Sequence, residues 1–389
     1  MAQNTFIYLD YAATTPLDPL VKERIVALPQ LLGNANSIHA FSDTSRKLVA
    51  NAAQELASLI NVPSKSIIWT SGATEANNLA ILGAARFYQH SGRHVICASI
   101  EHDSVLEPFK QLAREGFEVT YLKPDKEGLI TVSCLKAALR RDTLLVSVAG
   151  VNGELGTIQP LQELTQAAHE VGALVHSDLT MALGKMPLDL TASGVDLATF
   201  SAHKIYGPQG VGALYRRMQP HKIHLAKIMF GGLQQDNMRP GSLPVPLIVG
   251  MGAACARLLE NRDELAHLKR LDKVLTERLA AIPGLIFNGP KSLDRRVPGL
   301  INFTITGGDM NTGLLKLVPS LAMAYSAACH WDCRSSEPPV SKVLSEIGVP
   351  ERLLKRSVRL SIGRFTTPQE LDIAVTQLAD LGKKLINKA

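Results

Sequence analysis

The stretch LATFSAHKIYGPQGVGALY, residues 197–215, is the part of the sequence that is most informative about the fold. It begins with the apolar run LATFS, which is too short for a helix, and passes through a His–Lys pair into the turn-rich GPQGVG. A second apolar run, VGALY, ends it. Two strands joined by a Gly/Pro turn are therefore predicted, with Lys204 directly after the first strand.

The same alternation of short apolar runs and helical patterns extends back to about residue 65. Between the runs lie TEANNLAILGAARFYQ, DSVLEPFKQLAREG and LQELTQAAHEVG, whose apolar residues recur at helical spacing. Strands that alternate with helices predict an α/β fold with a mostly parallel seven-stranded sheet and flanking helices. The candidate strands are SIIWT (66–70), HVICA (94–98), EVTYL (118–122), LLVSVA (144–149), LVHSD (174–178), LATFS (197–201) and VGALY (211–215).

The pattern changes after about residue 255, where a smaller α+β unit is predicted. We interpret ACARLLENRDELAHLKRLDKVLTERLAAIPG as one long amphipathic helix that starts near Cys255 and ends at Pro283–Gly284. The runs LINFTI (300–305) and SVRLSI (357–362) follow as predicted strands, and the C-terminus returns to a helical pattern.

Composition and charge disfavour several classes of protein. Of the 389 residues, 46% are hydrophobic and 20% are charged, which is ample apolar material for a buried core. The net charge of +6 is scattered without a Lys/Arg block, so no nucleic-acid partner is expected. Without a signal segment or an apolar run of about 20 residues, we expect a cytoplasmic protein with no membrane partner. Five irregularly spaced cysteines argue against a disulfide framework.

Ligands bind at the carboxyl ends of the strands in open α/β sheets, so the polar residues at these ends form the candidate site. In TSGATEANN (70–78), a strand and a glycine turn lead into a helix, where the amides of Ala73 and Thr74 would suit a phosphate. Taken alone, this motif is also explained by an ordinary strand-to-helix turn.

Three further side chains at strand ends carry chemistry that would suit one cofactor. Burial would lower the pKa of the Lys204 amine, which could then form a Schiff base with a carbonyl cofactor. Asp178 could pair with a protonated pyridine nitrogen, and His102 could face an aromatic ring or transfer protons. Taken singly, the three residues are also explained as a solvated turn lysine, a helix cap and a structural histidine. Together with the phosphate turn, they are what an enzyme that uses pyridoxal 5'-phosphate (PLP) needs.

Eight motifs, in order over nearly the whole chain, match those of one known family. They are YLDYAATTPLDP (8–19), GNANSIH (33–39), TSGATEANNLAI (70–81), EHDSV (101–105), VNGELG (151–156), SAHKIYGPQGVGALY (201–215), RPGSLP (239–244) and SVRLSIGRFTT (357–367). The chain resembles the class V aminotransferases, and among them the NifS/IscS-like cysteine desulfurases and the related selenocysteine lyases. The resemblance implies the PLP-dependent transferase fold type I. We expect a large PLP-binding α/β domain at 16–255 and a small α+β domain formed by 1–15 and 256–389.

The resemblance implies a role for most of the candidate residues. Lys204 would hold PLP covalently, Asp178 would pair with its pyridine nitrogen, and His102 would stack on the ring and move protons. Asn34 and Arg359 would bind the substrate carboxylate. Because the family is homodimeric with active sites near the interface, a homodimer is also expected. The phosphate would be held by Ala73, Thr74, Ser201, His203 and, from the partner subunit, Ser242.

The stretch SAACHWDCR (326–334) would carry the sulfur chemistry. In this family a loop cysteine attacks the sulfur of the substrate, and SAAC matches the segment that leads to this nucleophile. Cys329 is therefore the candidate persulfide carrier. Its neighbour Cys333 could receive the sulfur, form a redox disulfide or be idle. A metal site is disfavoured, because Cys329, His330 and Cys333 supply at most three ligands.

The resemblance predicts a PLP-dependent cysteine desulfurase that converts L-cysteine to L-alanine and passes persulfide sulfur to an acceptor protein. A selenocysteine lyase is the alternative, since AACH and EHDSV resemble that branch more closely. A third hypothesis is a diverged relative with weak or no desulfurase activity, because Gly153 and Met181 stand where the family has asparagine and glutamine. Both missing side chains would contact the PLP phenolate oxygen, and neither replacement offers a donor there.

Overall fold

This computed structural model describes residues 6–261, 263–308, 313–325 and 340–387. The strands are β1 (Ile7–Tyr8), β2 (Ile67–Thr70), β3 (His94–Ala98), β4 (Glu118–Leu122), β5 (Thr143–Ser147), β6 (Leu174–Asp178), β7 (Leu197–Ser201), β8 (Gly212–Arg216), β9 (Leu285–Asn288), β10 (Leu300–Ile305), β11 (Leu321–Ala322) and β12 (Ser357–Ser361). The helices are α1 (Pro19–Val26), α2 (Asp43–Leu59), α3 (Ala73–Tyr88), α4 (Asp103–Arg114), α5 (Val132–Ala138), α6 (Leu161–His169), α7 (Leu190–Ser193), α8 (Val245–Glu260), α9 (Asp263–Ala280), α10 (Leu314–Leu317), α11 (Lys342–Glu346), α12 (Glu351–Leu354) and α13 (Pro368–Ile386).

The central sheet has the strand order β2-β8-β7-β6-β5-β3-β4. Strands β3 to β7 run parallel, whereas β8 pairs antiparallel with both β2 and β7. All seven strands expected from the apolar runs are present, with ends that agree within two residues. The predicted α/β fold with a mostly parallel seven-stranded sheet is therefore confirmed.

Burial explains why these short segments form strands. Every residue of β3, β5 and β7 is buried, as expected for parallel strands that helices cover on both faces. On one face, Phe109 and Leu112 of α4 pack with Val95 and Cys97 of β3. The carboxyl ends of β3, β5, β6 and β7 consequently lie along one edge of the sheet, and the polar residues that follow them are brought together there.

The prediction of one long helix after residue 255 is wrong. Two helices occupy this region: α8 begins earlier, at Val245, and ends at Glu260, and α9 begins at Asp263. Cys255 therefore lies inside α8 rather than at a helix start. The backbone of Asn261 leaves the helical region (φ −99°, ψ 68°), which ends α8. Asp263 and Glu264 then lie in the first turn of α9, where acidic side chains are favoured.

The C-terminal part contains a three-stranded antiparallel sheet with the order β12-β10-β9 and a short parallel pair of β1 with β11. Ile7 and Leu9 pack in the same apolar cluster as Phe303 and Leu360, so the N-terminal segment joins this part. The proposed domain boundary at 255 falls inside α8, and the division into two domains stays a prediction. Within the residues that the structure describes, no helix combines the length and apolarity needed to cross a membrane.

Candidate active site

A cavity of about 550 Å³ lies at the carboxyl edge of the central sheet. Residues from the ends of β3, β5, β6 and β7 line it, together with the start of α3 and a segment near the N-terminus. Eight of the predicted site residues meet in this cavity, namely Ala73, Thr74, His102, Asp178, Ser201, His203, Lys204 and Arg359.

Lys204 lies in a turn directly after β7, as predicted. Its Nζ donates hydrogen bonds to the carbonyl oxygens of Ala12 (2.6 Å) and Ala13 (2.7 Å). Burial lowers the pKa of the Lys204 amine to about 7, and the nearby charges of Arg359 and Lys185 act in the same direction. A large share of these amines is therefore neutral near pH 7, which is the form that attacks a carbonyl group.

Asp178 ends β6 and is buried. The amide of Asn77 donates to Oδ2 (2.8 Å), and the backbone N–H of Thr180 donates to Oδ1 (2.9 Å). Each oxygen keeps an acceptor site for a further donor. Asn77 was not among the predicted site residues, and the only signal in the sequence was an asparagine within a largely apolar helical pattern. The structure shows that its side chain is fully buried, where an amide needs a polar partner.

His102 is connected to Asp178 through a chain of hydrogen bonds. Asn77 Nδ2 donates to both Asp178 Oδ2 (2.8 Å) and Ser104 Oγ (2.9 Å), and Ser104 Oγ lies 2.8 Å from His102 Nδ1. The backbone N–H of Ser104 also donates to His102 Nδ1 (3.1 Å), because His102 caps the start of α4. As an acceptor, Nδ1 is unprotonated, so a neutral His102 carries its proton on Nε2.

The predicted phosphate turn is held by close backbone packing. Gly72 precedes α3 with φ 156°, and a Cβ on Gly212 would lie only 2.7 Å from the Cα of Gly72. This approach brings Ala73 and Thr74 beside Ser201, the last residue of β7, and His203, which follows the strand. Thr74 and Ser201 offer hydroxyl donors to an anion.

His203 is held in this turn by the N-terminal segment. Its Nδ1 lies 3.1 Å from the hydroxyl of Thr14. Burial lowers the pKa of His203 to about 4, with further contributions from the charges of Lys204 and Lys185. His203 is therefore neutral at pH 7 and would serve a phosphate as a hydrogen-bonding group rather than as a charge.

Arg359 on β12 reaches the cavity with its side chain almost fully buried. Nη2 pairs with Asp10 Oδ1 (2.8 Å), and Nη1 donates to the carbonyl oxygen of Gly153 (2.9 Å). Nε is buried and has no partner within the described ranges, so donors remain for a ligand. Arg359 was predicted as a site residue only through the family resemblance, and Asp10 was not among the predicted site residues.

Two predicted site residues do not line the cavity. Asn34 and Ser242 are both exposed, and the Asn34 amide donates to the Ser242 hydroxyl (3.1 Å). The single chain therefore does not bring Asn34 to Arg359, and the role expected for Ser242 of the partner subunit stays a prediction. Cys329, His330 and Cys333 lie outside the residues that the structure describes, so the predictions for them also remain untested.

Gly153 and Met181 form one part of the cavity wall. A Cβ on Gly153 would lie 3.5 Å from Met181 Cγ, an ordinary van der Waals distance. Neither side chain offers a hydrogen-bond donor to a ligand. The two positions at which the sequence departs from the family pattern, Gly153 and Met181, are thus adjacent in the structure.

Glu101 also lines the cavity, next to His102. This acidic residue was not among the predicted site residues. Its Oε1 accepts from the backbone N–H of Ala149 (2.7 Å), whereas no partner for Oε2 is present in the described part of the chain. Burial raises the pKa of Glu101 to about 8, and the charge of Asp178 adds to this. Glu101 is therefore mostly protonated at pH 7.

Sequence comparisons with known proteins identify the family of this chain. The family model for class-V aminotransferases matches residues 7–373. A curated cysteine desulfurase IscS of Anaeromyxobacter dehalogenans is 43% identical in an alignment 390 positions long, which covers 97% of this chain and 93% of that protein.

Two solved structures have the same architecture. A NifS-like protein has a TM-score of 0.86 at 29% identity and covers 98% of this chain and 100% of its own. SspA in complex with cysteine has a TM-score of 0.78 at 30% identity, with 93% and 100% covered. With a family model that spans most of its length and a close relative over nearly all of it, this chain belongs to the class-V aminotransferase family.

Proposed function

We propose that this chain is a PLP-dependent cysteine desulfurase, which converts L-cysteine to L-alanine. The observation that carries the proposal is the meeting of Lys204, Asp178, His102 and Arg359 in one cavity, beside the turn at Ala73 and Thr74 that is predicted to bind a phosphate. The relatives named cysteine desulfurase and the neighbour solved with cysteine support the same substrate. Transfer of the sulfur to an acceptor protein and a cytoplasmic location are part of the proposal.

The side chains that line the cavity fit PLP. The buried carboxylate of Asp178 has acceptor capacity left for the N–H of a protonated pyridine ring. The Lys204 amine, with a pKa of about 7, would hold the cofactor covalently. Thr74, Ser201 and the amides at the start of α3 would hold the phosphate, since a helix N-terminus favours anions. Once bound, PLP would supply an electron sink for bonds at the α-carbon of an amino acid.

Side chains of the protein would bind the substrate, transfer protons and accept the sulfur atom. Arg359 would bind the substrate carboxylate with its remaining N–H donors, which orients the amino acid. Lys204 would hold and move protons, because its pKa of about 7 makes both its charged and its neutral form available near pH 7. His102 would take part in proton transfer through Nε2, since its Nδ1 accepts the hydrogen bond of Ser104. The thiol of Cys329 would accept the sulfur atom, so that L-cysteine and the thiol yield L-alanine and a persulfide.

We also propose a homodimer. Asn34 and Ser242 join the segments around residues 29–41 and 229–242, and large apolar side chains of both segments are exposed. A second copy on this surface would remove these side chains from water and bring Ser242 of the partner subunit towards the phosphate turn. We expect a solution mass twice that of the 42.0 kDa chain. The exposed side chains are Leu32, Ile38, Phe41, Phe230 and Leu233.

The central test is an assay for alanine with L-cysteine and added PLP. The wild-type protein should become yellow, and borohydride should fix PLP on Lys204, which peptide mass spectrometry detects. Lys204→Ala should lose this modification and about 10²–10⁴-fold of the alanine formation. Lys222→Ala, which changes an exposed lysine, is the matched control. A wild-type protein that stays colourless with PLP and forms no alanine would refute the proposal.

The persulfide step and the substrate have a separate test. Cys329→Ala should still bind PLP but form no protein-bound persulfide from L-cysteine. Full sulfide release by this variant contradicts the role of Cys329. Parallel turnover of L-cysteine and L-selenocysteine distinguishes the desulfurase from a selenocysteine lyase.

A relative with weak activity is the second candidate, and the wall formed by Gly153 and Met181 favours it. The space beside Gly153 accepts a side chain, so Gly153→Asn combined with Met181→Gln would restore two donors to the cavity. If the missing donors limit the reaction, the double variant should form alanine faster than the wild type. An unchanged rate would remove the argument for this candidate.

A further inference from the structure

The segment from Asp10 to Thr15 passes along the cavity and contacts several of its functional groups. Ala12 and Ala13 accept the hydrogen bonds of Lys204, and the hydroxyl of Thr14 lies beside His203. The segment is itself attached to β12, since the backbone N–H of Ala12 donates to Ser361 Oγ (2.8 Å). Its position relative to the cavity is therefore determined by β12, the strand that also carries Arg359.

Asp10 makes the closest charged contact of Arg359. The Nη2–Oδ1 distance is 2.8 Å, and the side chains of Arg359 and Asp10 are only 3% and 20% exposed. Asp10 pairs with Ser361, two residues beyond Arg359 on the same strand, so the backbone holds the carboxylate next to the guanidinium. With Nη1 on the carbonyl of Gly153, the guanidinium plane is held at two points, and its free donors have one orientation.

Asp10 also balances the charge of the cavity. Arg359 and Lys185 both lower the pKa of Lys204, whereas the carboxylate of Asp10 raises it. Without Asp10, the buried guanidinium would lose its only neighbouring carboxylate within the described residues. Removing one partner of a buried ion pair leaves the other charge uncompensated, so the guanidinium would no longer be stabilised in its present position.

We infer that Asp10 is a positioning residue, which orients the guanidinium of Arg359 so that its free donors bind the carboxylate of an amino-acid substrate. This inference rests on the proposed function and extends it to the N-terminal motif YLDYAATTP, to which no chemistry was assigned. Asp10 acts through Arg359 and contacts no substrate itself. It should therefore affect ligands that carry a carboxylate and leave amines without one unaffected.

The test compares two ligands that differ only in the carboxylate, L-alanine and ethylamine, by calorimetric titration of the protein incubated with PLP. Wild type should bind L-alanine more tightly than ethylamine. Asp10→Asn keeps the volume but removes the charge, and it should weaken L-alanine binding about tenfold or more with ethylamine binding unchanged. In turnover of L-cysteine, KM should rise more than kcat falls.

A second variant and a control make the test specific. Asp10→Glu keeps the charge but displaces it, so its loss of L-alanine affinity should be smaller than that of Asp10→Asn. If Asp10→Asn does not fold, Asp10→Glu decides the question by the same comparison. Asp372→Asn removes the carboxylate of the exposed Arg278–Asp372 pair and should bind both ligands as wild type does.

The inference is overturned by any of three results. These are Asp10 variants that bind L-alanine as tightly as wild type does, Asp10 variants that lose affinity for both ligands equally, and a wild-type protein that does not distinguish L-alanine from ethylamine. Failure of the proposed function is seen separately, as a wild-type protein that forms no alanine from L-cysteine. The ligand comparison remains decisive for Asp10 in that case, because it measures binding and not turnover.

Discussion

Among single residues, Glu101 is the clearest case of a group whose ionisation depends on the fold. It lies next to His102 and is 6% exposed, with one carboxylate oxygen on the backbone N–H of Ala149. Burial and the charge of Asp178 raise its pKa from 4.5 to about 8. The folded protein therefore holds a proton that the unfolded chain has released between these two pH values.

Glu101→Gln should change how stability depends on pH. A raised pKa in the folded state gives stability that is present below pH 4.5 and lost as the pH rises through 8, by at most about 1.4 kcal/mol per pH unit. Glutamine resembles the protonated carboxyl group and does not titrate. The variant should match wild type near pH 5 and have a higher free energy of unfolding, by roughly 2 kcal/mol or more, at pH 8. Urea unfolding at both pH values measures this.

Glu107→Gln serves as the control for Glu101→Gln. Glu107 is an exposed residue of α4 that pairs with Lys110, and its replacement should leave the pH dependence of wild type unchanged. Parallel pH profiles for wild type and Glu101→Gln would show that Glu101 does not retain a proton in the folded state.

At the scale of elements, the junction of β2, β7, β8 and α3 depends on one close backbone approach. Gly212 opens β8 and pairs with Thr70 of β2 and Ser201 of β7. A Cβ at this position would lie 2.6 Å from the carbonyl oxygen of Phe200 and 2.7 Å from the Cα of Gly72. Both contacts involve backbone, so a side chain here would force apart the phosphate turn and the end of β7.

Gly212→Ala should destabilise the protein by roughly 1 to 3 kcal/mol and weaken PLP binding. The physical reason is overpacking, because neither the backbone of Phe200 nor that of Gly72 is free to move like a side chain. Urea unfolding and a PLP titration measure the two effects. Gly153→Ala is the control for stability, since its Cβ meets Met181 at an ordinary distance. Wild-type stability of Gly212→Ala would contradict the close approach.

At the scale of the whole molecule, Arg364 joins distant parts of the chain. Its guanidinium pairs with Asp18, which caps α1, and with Glu264 of α9 (Nε to Oε2, 2.9 Å). It also lies over the ring of Tyr206, 4.0 Å from the centroid, and its backbone N–H donates to the Tyr206 hydroxyl (2.6 Å). Tyr206 follows Lys204 in the turn after β7, so this network connects α9 with the cavity.

Arg364→Met should lower the free energy of unfolding by roughly 3 to 5 kcal/mol, because it leaves the buried carboxylate of Asp18 and the partly buried carboxylate of Glu264 without their shared cation. Arg278→Met is the matched control. It breaks a pair whose side chains are 37% and 64% exposed, so its cost should stay below about 1 kcal/mol. Urea unfolding of both variants tests the difference. Equal losses would mean that burial does not govern the strength of these pairs.

The central sheet and several residues at its edge are predictable from local sequence patterns alone. Short apolar runs predict buried strands because both faces of each strand are covered, and this local pattern identified all seven strands. Asp178 was then found because it ends one such run, and Lys204 because it lies three residues after the end of another. The same local reasoning failed at Asn261, since the helical spacing of apolar residues continues across the break and only the backbone angles show it.

Which side chains contact one another is visible only in the folded protein. The chain of hydrogen bonds from Asp178 through Asn77 and Ser104 joins three separate elements, and Asp10 pairs with a residue 349 positions away. Such contacts depend on how whole elements pack against one another, and no periodicity within one element carries that information. The pKa values of Lys204 and Glu101 follow for the same reason, because burial and neighbouring charges exist only after the chain has folded.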